Sequence, residues 1–407
     1  MKHSDYLAAL LFLLLSLAVH PMLLADTHLV GHSDAVTHTT KQYDEPISLD
    51  SESDLSSFDL NGSGTQNDPF VISNLFFYPD ETSITIKNTR SHLVIENIES
   101  WNLDEYSGEN PDGISLENVT NVVIRECTFK VLGSGIQIEN SSDCEVYNNT
   151  IHNSARGVVL GRSRNIGVRQ NTVYSNSHGI SVGDTNDSLV FQNTVVYSAS
   201  EGIVMYGENN LVYANRFGWN GAGNARELSG DNRWDDGSGL GNFWSDYAGS
   251  DTYEIQGPGE GEDRYPSLLS GDFAGPVLSG GTWLGGLGEG GPPLDRLHFE
   301  VSVTDTSGVE SVCFWYKVGG GVWNYTQMAH EPTADNPARY VYEIPGPIYG
   351  IEMEYFYSAT DSLGYYSETR HTSFAIFTDP FYWLGWAIAI VTIIAVTVMA
   401  VCYYTRR

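Results

Sequence analysis

The tetrapeptide Gln-Asn-Thr-Val occurs at 170–173 and again at 192–195, a step of 22 residues. The same step relates Glu-Cys-Thr-Phe at 126–129, Asn-Asn-Thr-Ile at 148–151 and Ala-Asn-Arg-Phe at 214–217. In every copy an apolar residue stands three positions before the central Asn or Cys, and another stands two positions after it. A fixed period of this length is typical of a solenoid, in which each repeat forms one coil.

A second set of positions, each a Gly followed by alternating apolar residues, repeats alongside the first pattern. Alternation of buried and exposed residues with period two is typical of a short strand with one buried face. We therefore predict an all-β chain whose main body, residues 46–267, is a right-handed parallel β-helix of about seven coils, each with two short strands, stacked about 4.8 Å apart. Five glycines, each followed by an apolar-x-apolar triplet, define this second set: Gly113, Gly135, Gly157, Gly179 and Gly202.

The central Asn of the repeat has a physical role. An Asn amide both donates and accepts hydrogen bonds and tolerates tight bends, so stacked copies can bond along the solenoid axis. Cys127 occupies the same slot, and we expect it to pack as a small apolar side chain rather than to react. The predicted structural ladder comprises Asn74, Asn97, Asn149, Asn171, Asn193 and Asn215.

Both ends of the chain are apolar and predict membrane targeting. Residues 1–25 have the pattern of a cleavable signal peptide, with an uncleaved anchor as the alternative. Residues 382–404 form an uncharged run flanked by aromatic residues, which predicts a single C-terminal transmembrane helix. Arg406 and Arg407, in the tail 405–407, favour the cytoplasmic side. The sequence thus predicts a single-pass type I protein of the cell membrane, with an extracellular ectodomain.

The chain is strongly acidic, with 20 Lys and Arg residues against 51 Asp and Glu residues and a net charge of −31. Nucleic-acid backbones carry the same sign of charge, so we expect no nucleic-acid partner. An acidic surface suits divalent cations, and calcium is a candidate although the sequence requires no cofactor. Asn-x-Ser/Thr sequences mark six candidate glycosylation sites: Asn61, Asn118, Asn140, Asn148, Asn186 and Asn324.

A second domain follows the repeats. Residues 268–293 are dense in Gly and end in two prolines, which predicts a linker or long loop. Residues 294–378 alternate like about seven short strands, which predicts a β-sandwich. Val-Thr-Asp-Thr-Ser-Gly-Val at 303–309 and Tyr-Ser-Ala-Thr-Asp-Ser-Leu-Gly at 357–364 resemble the immunoglobulin-like modules of prokaryotic surface proteins. That resemblance implies a spacer between the β-helix and the membrane.

Three motifs carry a resemblance for the first domain. They are Gly-Ser-Gly-Thr-Gln-Asn-Asp-Pro-Phe at 62–70, Asn-Arg-Trp-Asp at 232–235 and Gly-Asn-Phe-Trp-Ser-Asp-Tyr at 241–247. With the Asn-Thr-Val repeats, they resemble the NosD-type, carbohydrate-binding-like β-helix family of archaeal surface proteins. The resemblance implies a periplasmic or surface protein and, in the name-giving branch, a copper-related accessory role.

Two metals follow from that resemblance. Copper sites use clustered His, Met or Cys side chains, whereas His152 and His178 are isolated in the sequence. The family's acidic loop after the terminal motif is a candidate for calcium, and here residues 249–263 are acidic with a different spacing. A structural cap without metal, around Asp246 and Asp251, is the alternative.

One interruption of the period indicates where a ligand binds. The step from Asn97 to Cys127 is 30 residues instead of 22, and the extra residues are acidic. Solenoid insertions emerge as loops, often on the binding side, although a tolerated insertion is the alternative. We predict a shallow groove between this insertion and an outward column of cationic and aromatic side chains that holds a glycan or another surface protein. The candidate residues are Asp104, Glu105, Glu109 and Asp112 in the insertion and Arg125, Tyr147, Arg169, Phe191 and Tyr213 in the column.

Two alternatives remain open for these residues. Exposed aromatic side chains on a sheet also pack against each other without any ligand. Many β-helices carry polysaccharide lyase, hydrolase or epimerase activity, for which Asp112 with Asp104 or Glu109 would supply paired carboxylates, or Lys130 or Arg169 a base. Neither catalytic arrangement is visible in the sequence, so a binding protein is favoured over an enzyme.

Overall fold

The computed structural model describes residues 44–102, 110–249, 251–284, 294–348 and 352–375. The predicted signal peptide, transmembrane helix and cytoplasmic tail lie outside these residues. Within them, no helix has the length and apolar character needed to cross a membrane. The chain divides between Ala274 and Gly275 into two compact units, which are described separately.

The first unit is a parallel β-helix, as predicted, with three strands in each full coil rather than two. The first sheet has eight strands: Ile47–Leu49, Ile84–Lys87, Ile114–Glu117, Ser134–Glu139, Arg156–Gly161, His178–Gly183, Glu201–Tyr206 and Gly223–Glu227. The second sheet has seven: Phe70–Ser73, Leu93–Glu96, Val122–Arg125, Glu145–Tyr147, Gly167–Arg169, Leu189–Phe191 and Leu211–Tyr213. The third sheet has nine: Phe76–Phe77, Glu99–Trp101, Thr128–Lys130, Thr150–His152, Thr172–Tyr174, Thr194–Val196, Arg216–Gly218, Phe243–Trp244 and Ser267–Leu268.

The third strand of each coil was not predicted from the sequence, because the chain turns sharply inside the Gln-Asn-Thr-Val repeat. Gln170 has φ 56° and Gln192 has φ 58°, a left-handed conformation that ends one strand before Asn and starts the next at Thr. The apolar residues before and after each Asn therefore belong to two sheets. Nine strands in the third sheet also indicate about nine turns instead of about seven.

The interior of the β-helix is one apolar core. Val168 pairs with Val146 and Val190 in the adjacent coils, and all three side chains are fully buried. Ile136 and Val158 pair in the same way in the first sheet. This register agrees with the predicted stacking of apolar columns.

Small elements complete the unit. They are a helix, Glu52–Ser57, N-capped by Ser51, and an antiparallel pair, Tyr253–Glu254 with Glu262–Asp263.

The second unit is an antiparallel β-sandwich. Its core includes Phe299 and Phe314, whose ring centroids lie 4.2 Å apart. One sheet contains Val277–Leu284, Leu294–Thr304, Arg339–Ile348 and Ala329–His330. The other contains Asn324–Gln327, Val309–Val318, Glu352–Asp361, Tyr366–Glu368 and Thr372–Ala375.

The predicted linker is wrong over part of its length. Val277–Leu284 forms a strand that pairs antiparallel with Leu294–Thr304, so the sandwich begins before residue 294. Glycine density hid this strand, because backbone hydrogen bonds from a neighbouring strand compensate for the poor strand propensity of Gly. The remaining linker residues, 285–293, lie outside the described residues.

Candidate functional site

An outward column of side chains crosses the second sheet. Strand pairing places one residue of each coil directly opposite the next. Neighbouring members are therefore one coil apart, a spacing of about 4.8 Å. We call this column the outer ladder: Glu96, Arg125, Tyr147, Arg169, Phe191 and Tyr213.

In the first half of the outer ladder, the charged groups bind to one another and to neighbouring side chains. The Arg125 guanidinium donates from Nε to Glu96 Oε2 at 2.8 Å and from Nη1 to the Tyr147 hydroxyl at 3.1 Å. The Arg169 guanidinium lies 3.8 Å from the centroid of the Tyr147 ring and donates to Glu145 Oε2 at 3.2 Å. These contacts fix the planes of both guanidinium groups and leave their charge balanced.

The second half of the outer ladder is aromatic. The rings of Phe191 and Tyr213 stack with centroids 5.4 Å apart and an interplanar angle of 5°. Both residues are partly exposed, so together they present a flat apolar strip two coils long.

A groove runs along the corner where the second sheet turns into the third, and its lining includes Gln192 and Ala214, which directly follow Phe191 and Tyr213 in the chain. We call it the corner groove; its volume is about 450 Å³. Its third-sheet side includes Arg216, whose guanidinium carbon lies 5.5 Å from the centroid of the Phe243 ring. The corner groove is lined by Gln170, Asn171, Thr172, Gln192, Thr194, Ala214, Arg216, Leu240 and Phe243.

Most of these lining residues were not predicted from the sequence. Gln170 and Gln192 occupy the same position of the repeat, and each directly follows a member of the outer ladder. Their recurrence at the 22-residue step was a visible signal. It could not be used, because only the three-strand coil shows that this position is an outer corner.

A buried ladder of asparagines follows the same corner, and one of its members, Asn171, lines the corner groove. The Asn171 amide donates to Asn193 Oδ1 at 2.9 Å and to the Val146 carbonyl at 2.9 Å. The same pattern joins Asn193 to Asn215. Asn149, Asn171, Asn193, Asn215 and Asn242 form this column.

Asn74 and Asn97 do not belong to the buried asparagine column, contrary to prediction. The register places Asn97 after the pair Glu96 and Arg125, so it aligns with Glu126, and Asn97 has φ 52° on the exposed corner. Ile98 takes the slot of Cys127 instead. The spacing before Cys127 differs from 22 residues, so residue type alone does not give the alignment of these two coils. Hydrogen-bond register sets it, and the true alignment differs from the predicted one by one residue.

Asp112 and Arg125 lie on different parts of the coil. Asp112 Oδ1 accepts a hydrogen bond from the Ser134 N–H at 2.6 Å, at the start of a first-sheet strand, whereas Arg125 belongs to the second sheet. Among the described residues, the predicted groove between the insertion and Arg125 is therefore not formed by Asp112. Asp104, Glu105 and Glu109 lie outside the described residues.

Two buried carboxylates close the β-helix near its end. Asp263 accepts hydrogen bonds from the Asn242 N–H at 2.7 Å and from Trp244 Nε1 at 2.9 Å. Glu227 accepts from Trp234 Nε1 at 2.7 Å. Burial raises the pKa of both carboxyl groups, and the N–H donors oppose that shift. The motifs at 232–235 and 241–247 thus supply a hydrogen-bonded end to the core.

The acidic loop predicted as a calcium candidate contributes to this cap. Asp246 accepts from the Asn224 amide at 2.7 Å and from the Tyr253 hydroxyl at 3.1 Å. The Asp251 backbone carbonyl accepts from the Tyr247 hydroxyl at 3.3 Å. Within the described residues, the carboxylates of 249–263 do not converge as a group of three that could hold a cation. The hydrogen bonds of Asp246 and of the Asp251 carbonyl tie this loop to the end of the β-helix.

The described cysteines and histidines do not form a copper site. Cys127 and Cys144 are each 1% exposed inside the core, and burial raises the pKa of both thiols to about 12. His152 is also buried. In the part of the chain that the structure describes, no three His or Cys side chains converge as metal ligands.

The six candidate glycosylation sites differ in exposure. Asn61, Asn140 and Asn148 are exposed, whereas Asn118, Asn186 and Asn324 are half-buried. Whether any of them carries a glycan remains a prediction.

Two of the solved structures that match this chain are the following. The Br derivative of BhCBM56 is 15% identical, covers 20% of this chain and 78% of its own, and has a TM-score of 0.16. The enzymatically active domain of bacteriophage CBA120 tailspike protein 2 is 10% identical, covers 76% of this chain and 68% of its own, and has a TM-score of 0.25. At these TM-scores neither structure informs the function of this chain.

The family comparison concerns the β-helix. No curated protein matches this chain in sequence. Residues 50–249 match the family described as periplasmic copper-binding protein (NosD). That segment contains the outer ladder, the corner groove and both terminal motifs. Over these residues the β-helix of this chain is similar to the NosD family.

Proposed function

We propose that this chain is a surface protein whose β-helix binds an extended glycan along the corner groove. The observation that carries the proposal is a groove that crosses successive coils and is lined by Arg216 and Phe243. The stacked rings of Phe191 and Tyr213 directly precede two of its lining residues in the chain. Aromatic faces pack against the apolar faces of sugar rings, and a few polar groups fix their orientation.

The polar groups of the groove suit sugar hydroxyls. Gln170, Gln192, Thr172 and Thr194 line it, and their side chains can both donate and accept hydrogen bonds. Each type recurs one coil further on, at a spacing of about 4.8 Å. A linear polymer can therefore meet equivalent contacts with successive units.

The charge of the groove differs from that of the chain. The nine described lining residues include no Asp or Glu, and Arg216 has no carboxylate within ion-pair distance among the described residues. By contrast, Arg125 and Arg169 are paired with Glu96 and Glu145. Arg216 is therefore available to a uronate, so the proposal covers both neutral and uronate-containing glycans.

The experiment is calorimetric titration of the purified full-length chain with linear polysaccharides, one series neutral and one containing uronic acids. We expect binding that weakens in Gln192→Ala and Phe243→Ala. Tyr206→Ala is the matched control, because Tyr206 is 50% exposed on the first sheet, away from the groove. Unchanged binding in both groove variants, or no binding by the parent, would contradict the proposal.

The same samples distinguish binding from catalysis. A binding protein leaves the polymer intact, whereas a hydrolase releases reducing ends and a lyase releases unsaturated sugars. Release of either product would favour the enzymatic alternative.

We further propose attachment to the cell membrane through residues 382–404, with the two described units outside the cell. The support is the uncharged run and the terminal Arg406 and Arg407. Protease added to intact cells should remove both units. Complete protection would contradict this orientation.

A further inference from the structure

The sandwich contains two neighbouring turns that glycan binding does not involve. They are residues 305–308 and 361–364. The Ser362 N–H donates to the Gly308 carbonyl at 2.9 Å, and the Ser362 hydroxyl donates to the Ser307 carbonyl at 2.7 Å. These two hydrogen bonds hold the turns side by side.

Each turn begins with an Asp that uses one carboxylate oxygen to fix the turn. Asp305 Oδ1 accepts from the Ser307 N–H at 2.7 Å. Asp361 Oδ1 accepts from the N–H groups of Leu363 at 2.9 Å and Tyr365 at 2.8 Å. The ligand oxygens of Asp305 and Asp361 lie within 4.8 Å of each other. Two negative charges are thus brought together by the turns themselves.

The second oxygen of Asp361 is the unusual feature. Asp361 is 0% exposed, and its Oδ2 has no hydrogen-bond partner among the residues that the structure describes. Burial of a carboxylate oxygen without a donor is unfavourable, and a second carboxylate nearby increases the cost. A buried water would satisfy the oxygen but would leave the repulsion between the carboxylates. A cation satisfies both.

We propose that Asp305 and Asp361 hold a divalent cation, Ca²⁺, between the two turns. Calcium takes carboxylate, carbonyl and water oxygens in irregular geometries, which suits two turns from different parts of the chain. Magnesium requires near-octahedral coordination and keeps several waters, which suits a buried carboxylate less well. This inference is independent of the proposed glycan binding.

Calorimetry of the full-length chain, freed of metal with a chelator and then titrated with Ca²⁺, tests the inference. We expect a heat of binding, and at a calcium concentration about 100 times the dissociation constant a rise of about 10 °C in the unfolding midpoint of the sandwich. Mg²⁺ at the same concentration should give a smaller rise. No rise with Ca²⁺, or a larger one with Mg²⁺, would overturn the proposal.

Variants locate the site. Asp361→Asn and Asp305→Asn should each abolish the calcium-dependent rise, whereas Asp335→Asn, which removes the same charge from an exposed turn of the sandwich, should retain it. If Asp361→Asn does not fold, Asp305→Asn still decides the matter, because Asp305 is only half-buried. An undiminished rise in Asp305→Asn would show that calcium binds elsewhere.

Discussion

Two corners of the β-helix repeat with the same period but bury different side chains. At the groove corner, between the second and third sheets, every Asn from Asn149 to Asn215 donates its amide to the next Asn of the column. At the serine corner, between the third and first sheets, Ser154, Asn176, Ser198 and Asn220 alternate. The Ser198 hydroxyl has no hydrogen-bond partner within the described part of the chain. The ladder is therefore continuous at the groove corner and interrupted at Ser198 in the serine corner.

The outer surfaces of the two corners also differ. The groove at the serine corner measures about 190 Å³ against about 450 Å³ at the groove corner. Ser, Ala and Asn line the smaller groove, whereas Gln, Arg and Phe contribute to the larger one. One scaffold thus presents a different surface at each corner, because outward-facing corner residues are free of the packing demands of the core.

The largest expected effect concerns the buried ladders. Asn193→Ala should destabilise the β-helix by about 2–4 kcal/mol, because the Val168 carbonyl and the Asn171 N–H would lose buried partners. Ser198→Ala should change stability by less than about 0.5 kcal/mol, because that hydroxyl makes no hydrogen bond to lose. Urea unfolding of the full-length variants measures both. Equal losses would mean that the two corners are energetically alike.

The second prediction compares aromatic residues at the two corners. Tyr213→Ala should weaken glycan binding about tenfold, or about 1.4 kcal/mol, because it removes half of the aromatic strip whose next residue in the chain, Ala214, lines the corner groove. Tyr197→Ala, which removes a ring stacked on Trp219 at the serine corner, should change the affinity less than twofold. Calorimetric titration decides. A larger loss for Tyr197→Ala would move the binding site to the serine corner.

The smallest expected effect concerns charge. Arg216→Gln should weaken binding of a uronate-containing glycan by about three- to fivefold and leave a neutral glycan unaffected, since exposed ion pairs contribute less than about 1 kcal/mol. Arg125→Gln should change neither affinity, because Glu96 and Tyr147 already occupy that guanidinium. Equal losses of the two glycans in Arg216→Gln would indicate a packing role instead.

Several features of the chain were determined by its sequence alone. The 22-residue step and the alternation around Val168 and Val190 predicted a parallel β-helix and the inward register, because buried columns require apolar residues at fixed intervals. The motifs at 232–235 and 241–247 were recognisable by their resemblance to the NosD-type family. Each of these signals lies in a short stretch of sequence, so no distant contact is needed to interpret it.

Other features were decided only by the tertiary structure. The third strand, the alignment of Ile98 with Cys127 and the strand Val277–Leu284 depend on hydrogen bonds between residues far apart in the sequence, which residue type does not specify. The corner groove also depends on residues that are far apart in the sequence. Gln192 and Arg216 stand 24 positions apart and meet only because a left-handed residue turns each coil at that corner. Composition and spacing therefore identified the scaffold, while the three-sided shape of the coil placed the residues that we propose bind a glycan.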